Sequence, residues 1–207
     1  MTGAELLRLI CAQVCLHATM AGMRLAAPLL ALQQGRSAAA VGVLIALFAL
    51  TQVFLALPAG RFADRHGFKR PMRLAVIAAA AGPLMALAWP HFAVTCVAAL
   101  LTGGATGVTV IALQRHVGRA AQGAAQLRRM FSWLAIAPAA ANFLGPFAAG
   151  LLIDHAGEPF GGRPADELAF RLCFATLALL PLACWWLVRR AQEPAPAPPP
   201  PAGPAPT

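Results

Sequence analysis

The sequence predicts an all-α membrane protein built from six transmembrane helices. Of its 207 residues, 59% are hydrophobic and only 11% are charged, whereas a soluble domain carries about 25% charged residues. Crossing a bilayer takes about 20 apolar residues, and six runs are long enough: about 9–31, 38–59, 72–89, 92–113, 130–153 and 168–188. Because backbone polar groups in lipid must bond within their own segment, we expect helices and not strands.

The basic residues set the predicted orientation. They cluster in the connections after the second, fourth and sixth runs, as Arg61, Arg65, Lys69, Arg70, Arg73, Arg115, Arg119, Arg128, Arg129, Arg189 and Arg190. The positive-inside rule places this side, and both termini, in the cytoplasm. We therefore expect a multi-pass protein of a bacterial-type cytoplasmic (inner) membrane. Because the net charge of +9 comes from short connections and not from one solvated face, no nucleic-acid partner is predicted.

Between the second and third runs the chain reads Gly60-Arg61-Phe62-Ala63-Asp64-Arg65-His66-Gly67-Phe68-Lys69-Arg70. This crowding of charges predicts a short turn in water, close to the membrane surface. The pattern resembles the signature between the second and third helices of the major facilitator superfamily of secondary transporters. The resemblance implies a conformational-gating role for Gly60, Asp64, Arg65, Gly67, Lys69 and Arg70. In that role the two glycines allow the turn, while Asp64 contacts a helix end in a second half of the transporter and nearby arginines such as Arg65.

The end of the fifth run echoes this motif. Gly150-Leu151-Leu152-Ile153-Asp154-His155-Ala156-Gly157 has the same G-x-x-x-D-x-x-G spacing as the stretch from Gly60 to Gly67. Three spans separate the two copies, which puts them on opposite faces of the membrane. An inverted 3+3 repeat has this property, and each half of the superfamily's fold is built that way. The predicted fold is therefore half of a major facilitator fold.

A Gly-Pro pair lies in the middle of the fifth run. Gly145, Pro146 and Gly150 resemble the G-P-x-x-(G/A)-G element of the superfamily's drug and metabolite exporters, so export is the favoured direction. A proline inside a helix removes a backbone donor and bends the helix, and small residues allow close packing. The three residues are therefore predicted to bend and pack this helix, although any tight pair of membrane helices uses the same residue types.

Polar residues recur at helical spacing in the first run. Gln13, His17 and Arg24 share one face of a helix, and an arginine at the centre of a membrane costs about 2.5–3.5 kcal/mol. This face is predicted to line a substrate or proton pathway, with Arg24 attracting an anionic group and His17 as the titratable residue. The alternative is that Arg24 extends to the outer headgroups. Three residues of other helices complete the candidate pathway: Gln52, Thr106 and Asn142. Bonding to their own helix backbone is the alternative for the threonine and the asparagine.

No cofactor, metal site or catalytic site is predicted. The five cysteines lie in apolar runs, at Cys11, Cys15, Cys96, Cys173 and Cys184, without C-x-x-C spacing and without His or carboxylate partners at ligand spacing. The sequence has no H-E-x-x-H motif and no paired intramembrane carboxylates. We therefore expect no enzyme.

The sequence thus predicts a secondary active transporter, or half of one, that moves a small-molecule substrate through the lipid bilayer by alternating access. Because one six-helix half supplies only one wall of such a cavity, residues 1–190 are expected to need a second half, either a second copy or a separately encoded chain. The alternatives are a non-transporting membrane interaction module and a truncated transporter remnant. Residues 191–207 are rich in Pro and Ala and predict a disordered cytoplasmic tail.

Overall fold

The computed structural model describes residues 2–160 and 163–190. These residues form α1 (Gly3–Gln33), α2 (Ala38–His66), α3 (Lys69–Ala88), α4 (Phe92–Ala120), α5 (Ala124–Leu134), α6 (Ile136–His155), a 3-10 turn (Glu158–Phe160) and α7 (Glu167–Val188). With α5 and α6 counted as one continuous segment, the described ranges hold six helices long and apolar enough to cross a membrane. The predicted all-α fold with six spans is confirmed. The predicted tail, residues 191–207, lies outside the described residues.

The helices are longer than the apolar runs that predict them. Hydropathy marks only the part of a helix that lies in lipid, whereas backbone hydrogen bonds continue until a residue interrupts them. In α2 that residue is Gly67, whose φ of 74° lies in the left-handed region that favours glycine. The stretch from Gly60 to His66 is therefore helical, and its prediction as a turn was wrong. The turn itself contains only Gly67 and Phe68.

Side-chain caps begin three of the membrane-spanning helices. The Thr2 hydroxyl accepts a hydrogen bond from the Glu5 amide at 3.2 Å, and the Ser37 hydroxyl accepts one from the Ala40 amide at 3.3 Å. The carboxylate of Asp166 accepts from the Ala169 amide at 2.7 Å. These side chains satisfy backbone donors that have no partner within the first turn of a helix. They fix where α1, α2 and α7 start.

The helix packing is symmetric between the two halves of the described chain. α1 packs mainly against α6 and α7, and α4 packs mainly against α2 and α3. In addition, α1 contacts α4, and α3 contacts α7. The symmetry appears when α1, α2 and α3 are exchanged with α4, the α5–α6 segment and α7, in that order. The contact of α1 with α6 then becomes that of α4 with α2, and the contact of α1 with α7 becomes that of α4 with α3. The inverted 3+3 repeat predicted from the two G-x-x-x-D-x-x-G stretches has this symmetry.

Two apolar clusters fill the bundle, one toward each end. The first includes Leu9, Met72, Leu113, Val117 and Val188, and it lies toward the end that carries the α2–α3 turn and the C-terminal end of α4. We call this the basic end, because Arg61, Arg65, Arg70, Arg115 and Arg119 lie there. The second cluster lies toward the opposite end and includes Met23, Phe48, Phe170, Cys173 and Phe174. α2 and the α5–α6 segment contribute least to this core and are the least buried spans.

Candidate functional site

An ion-pair cluster joins α2 to α4 at the basic end. Asp64 accepts a hydrogen bond from Nη1 of Arg115, and Nη2 of Arg119 lies 2.9 Å from the same carboxylate oxygen. Arg115 and Arg119 are four residues apart, so both project from one face of α4. One carboxylate therefore binds two guanidinium groups of a neighbouring helix. All three side chains remain a little more than two-fifths exposed, so the cluster lies at the water-facing end of the bundle.

Gly60 makes room for this cluster. It precedes Asp64 by four residues, and a Cβ at Gly60 would lie only 2.8 Å from Nη2 of Arg115. The absent side chain thus lets the Arg115 guanidinium lie against the α2 backbone. Gly60 was predicted to allow a tight turn, but within the helix its role is to provide space. The turn requires only Gly67.

Asp64 pairs with α4 and not with the arginine that follows it in the motif, among the residues that the structure describes. Asp64 was expected to contact Arg65, but consecutive residues of a helix point about 100° apart and do not face each other. In the described part of the chain the carboxylate of Asp64 pairs with Arg115 and Arg119. Arg65 and Arg70 are exposed and Lys69 is partly buried at the start of α3. The structure thus shows Asp64 in a contact within this six-helix unit, and its expected contact with a second half stays a prediction.

Phe68 anchors the turn that follows Gly67. Its side chain is 4% exposed, and its ring lies 4.4 Å from the ring of His116, measured between centroids. His116 belongs to α4, between the two arginines of the ion-pair cluster. The α2–α3 turn is thus held to α4 by an apolar contact as well as by charges.

The polar residues of α1 form a strip along the side of the helix that faces α6. Gln13 is buried, and its Oε1 atom has no hydrogen-bond partner among the described residues. One turn further, His17 is half-buried and its side chain interacts with that of Asn142 of α6. Arg24, two turns beyond His17, is exposed. The predicted stripe therefore contains one buried, one half-buried and one exposed side chain.

A cavity of about 290 Å³ lies where Arg24 meets α6. It is lined by Ala21, Arg24, Leu25, Asn142 and Pro146. Arg24 has no carboxylate partner among the residues that the structure describes. Pro146 has no backbone N–H, so the carbonyl group of Asn142, four residues earlier, lacks its usual helical donor. The cavity therefore combines one cationic side chain, one amide side chain and one backbone acceptor that lacks its usual helical donor.

Gln52 and Thr106 lie away from this cavity. The amide of Gln52 donates to the carbonyl oxygen of Phe48 at 3.2 Å, and its side chain packs against Gly107 at the contact of α2 with α4. Thr106 is 2% exposed, and its hydroxyl donates to the carbonyl oxygen of Thr102 at 2.8 Å. Both polar groups thus bond within their own helices. The structure brings together Arg24, His17 and Asn142, and it separates them from Gln52 and Thr106.

Gly145 allows α6 to approach α1 closely, whereas Gly150 does not contribute to this approach. A Cβ at Gly145 would lie 2.6 Å from the carbonyl oxygen of Ala18, which is too short for any real contact. A Cβ at Gly150 would meet its nearest neighbour, a Cδ2 atom of Leu25, at 3.7 Å. Pro146 lies inside α6, which continues through it. Within the predicted packing motif, Gly145 is the residue that sets the helix contact.

No group of three or more His, Cys, Asp or Glu side chains within residues 2–160 and 163–190 could hold a metal ion. The main residues that sequence reasoning missed are Arg115, Arg119 and His116. The sequence signal for the two arginines was their spacing of four residues in α4, which matches the spacing of Gly60 and Asp64 in α2. The sequence does not show that α4 lies beside α2.

Comparison with known proteins identifies the fold and its general activity. No curated protein matches the chain. A family model described as Major Facilitator Superfamily matches residues 9–207, which is nearly the whole chain. The resemblance based on the α2–α3 motif is thereby confirmed. The chain belongs to the Major Facilitator Superfamily, whose members transport small molecules across membranes.

Proposed function

We propose that this chain is one six-helix half of a secondary active transporter that exports a small molecule with an anionic group. Arg24, in the cavity between α1 and α6, is the observation that carries this proposal. A guanidinium group inside a membrane span is unfavourable unless a counter-ion or water accompanies it. Because none of the described carboxylates pairs with it, the charge is free to attract a substrate anion.

Asn142 and the apolar lining residues define what else the cavity can recognise. An asparagine side chain offers two N–H donors and an acceptor, and Asn142 lies on the opposite wall from Arg24. The apolar side chains of Leu25 and Pro146 complete the lining. This combination fits an organic anion with an apolar body. Export is the favoured direction because of the Gly145-Pro146 element, which resembles that of exporters in the superfamily.

The proposed mechanism is alternating access, with the second half of the transporter packed on the exposed faces of α2 and α6. These faces carry large apolar side chains, among them Val53, Phe54 and Leu57 of α2 and Phe143 and Phe147 of α6. The second half is either another copy of this chain or a separate polypeptide. The bonds of Asp64 to Arg115 and Arg119 hold α2 to α4 at the basic end, and we propose that their rearrangement accompanies opening. The positive-inside rule places the basic end, with both termini, in the cytoplasm of a bacterial-type inner membrane.

The role of Arg24 can be tested in vesicles. The full chain is reconstituted into liposomes, and a proton gradient is imposed while a fluorescent carboxylate dye and a fluorescent cationic dye of similar size are followed. We expect gradient-dependent movement of the carboxylate dye and little movement of the cationic dye. Arg24→Gln should reduce that movement about tenfold or more, because a charge-assisted hydrogen bond contributes about 1.5–3 kcal/mol. Arg24→Lys should retain part of it.

Arg36→Gln is the matched control. Arg36 is an exposed arginine outside the helices, where its guanidinium lies over the ring of Phe92. An equal loss in both variants would contradict the proposed role of Arg24, and preferred movement of the cationic dye would contradict the substrate class. The mass of the protein in mild detergent tests separately whether the second half is another copy of this chain. A dimer is expected if two copies form the transporter.

A further inference from the structure

A groove on the outside of the bundle runs between α2 and α3. Both helices pack along α4 but make few contacts with each other. They leave a cavity of about 550 Å³. Its walls come from α2 and α3, and α4 forms its floor. We call this cavity the outer groove, and its principal lining residues are Leu55, Phe62, Leu74, Ala78, Gly104 and Val108.

The outer groove is apolar along its length. The polar side chain that lines it is Thr51, whose hydroxyl already donates to the carbonyl oxygen of Leu100 at 3.0 Å. A polar solute would therefore lose its hydration without gaining hydrogen bonds from side chains. From Thr51 to Phe62 the groove follows α2 for about 16 Å, at 1.5 Å per residue. One leaflet of the hydrocarbon core has a similar thickness, about 15 Å.

The basic end of the protein closes one end of the outer groove. Phe62 and Pro71 are its last lining residues there. The next turn of α2 brings His66, whose ring lies 4.5 Å from that of Phe62. On α3, Arg70 lies one turn before Leu74 and is exposed. An apolar channel thus ends beside a cationic side chain at the membrane surface.

The charge around this end is strongly positive. Arg61, Arg65, Arg70 and Arg73 are exposed within and next to the α2–α3 turn. The one carboxylate in this stretch, Asp64, already binds two arginines of α4. The segment therefore attracts negative charge at the level of the lipid headgroups.

We propose that the outer groove binds an anionic phospholipid. One acyl chain lies along α2 and α3 over the floor formed by α4, and the headgroup phosphate lies beside Arg70. A phospholipid with a zwitterionic headgroup offers the same chain but no net negative charge, so the basic end provides the selectivity. The lipid fills the space that α2 and α3 leave between them. This site is separate from the cavity at Arg24 and does not depend on transport.

Lipid binding can be measured on the purified full chain in mild detergent. Phosphatidylglycerol and phosphatidylcholine with identical acyl chains are added in turn, and bound lipid is counted by native mass spectrometry. We expect phosphatidylglycerol to be retained more strongly. Arg70→Gln should weaken phosphatidylglycerol binding about fivefold, the factor expected for the loss of one basic residue near the surface. Phosphatidylcholine binding should fall less, because its choline cation offsets the attraction between its phosphate and Arg70.

A second variant tests the acyl-chain part of the site. Ala78→Phe places a ring in the outer groove and should abolish retention of both lipids. Should that variant fail to fold, Leu55→Trp fills the groove from the opposite wall. The matched controls are Arg128→Gln on α5 and Ala183→Phe on α7, both at exposed positions outside the groove.

Three outcomes would overturn the proposal. The first is equal retention of the two lipids by the unaltered chain, and the second is an equal effect of Arg70→Gln and Arg128→Gln. The third is unchanged lipid retention when a folded variant fills the groove, which would place the lipid elsewhere. In that third case the groove would be free for another occupant, such as a second copy of the chain. The mass of the protein in the same measurement would show whether a second copy is bound.

Discussion

Replacing Asp64 by asparagine tests the ion-pair cluster that joins α2 to α4. The change keeps the size of the side chain but removes the charge that Arg115 and Arg119 share. An exposed ion pair contributes about 0.2–1 kcal/mol, and two such pairs at about 0.5 kcal/mol each give about 1 kcal/mol. The two arginines, four residues apart and without their carboxylate, then repel each other by a few tenths of a kcal/mol. We expect Asp64→Asn to destabilise the protein by about 1–1.5 kcal/mol.

Thermal unfolding in detergent measures this loss through the cysteines. Cys173 and Cys184 are fully buried, so a thiol-reactive fluorescent dye labels them only as the bundle opens. For a chain of this size, 1 kcal/mol corresponds to about 2–4 °C in Tm, and Asp64→Asn should lower Tm by about 3–5 °C in 0.1 M salt. The difference should shrink in 1 M salt, where the Debye length falls from about 10 Å to about 3 Å.

Asp154→Asn is the matched control, because Asp154 occupies the repeat-related position at the end of α6. It is exposed and has no ion pair among the described residues. Its replacement should leave Tm within about 1 °C of the unaltered value. The reasoning is refuted if Asp64→Asn has no effect in low salt, or if both variants lower Tm equally.

Two further pairs of variants test backbone positions in the same thermal assay. Gly145→Ala should lower the free energy of unfolding by about 1–3 kcal/mol, because its Cβ would clash with the carbonyl oxygen of Ala18. Gly150→Ala, with its nearest neighbour at 3.7 Å, should be neutral or stabilising, and a larger loss there would contradict this account of the packing. Gly67→Ala should cost about 1 kcal/mol because of its positive φ. Gly118→Ala in α4, with open space around it, should not destabilise the protein.

The six spans could be predicted because each is a long apolar run, and membrane insertion requires that property of the sequence itself. The helix ends could not be predicted in the same way. α2 continues seven residues beyond the predicted boundary at 59, to His66, because a helix that emerges into water needs no apolar side chains to keep its backbone bonded. The motif predicted as a turn is thus largely the last two turns of a helix.

The candidate site was predictable where it depends on spacing within one helix. His17 and Arg24 fall on one face of α1, and the structure keeps them there, beside Asn142. Contacts between distant helices were not predictable. Asp64 is 51 residues from Arg115 and 55 from Arg119, and only the packing of α2 on α4 brings them together. Thr106 was predicted to line the pathway, but its hydroxyl forms a hydrogen bond within its own helix. A buried hydroxyl that donates to its own helix backbone needs no partner on another helix.

The packing repeats between the two sets of three spans, but the charges do not. Asp64 meets two arginines because α4 carries them in its last turns, and α4 is the span that α2 packs against. At the opposite end of the bundle, Asp154 lies at the end of α6, which packs against the equivalent helix α1. The last turn of α1 contains no basic residue. There Gln33 donates instead to the carbonyl oxygen of Ala165 at 2.6 Å. Among the described residues, ion pairs therefore join neighbouring spans only at the basic end, and low salt should stabilise that end selectively.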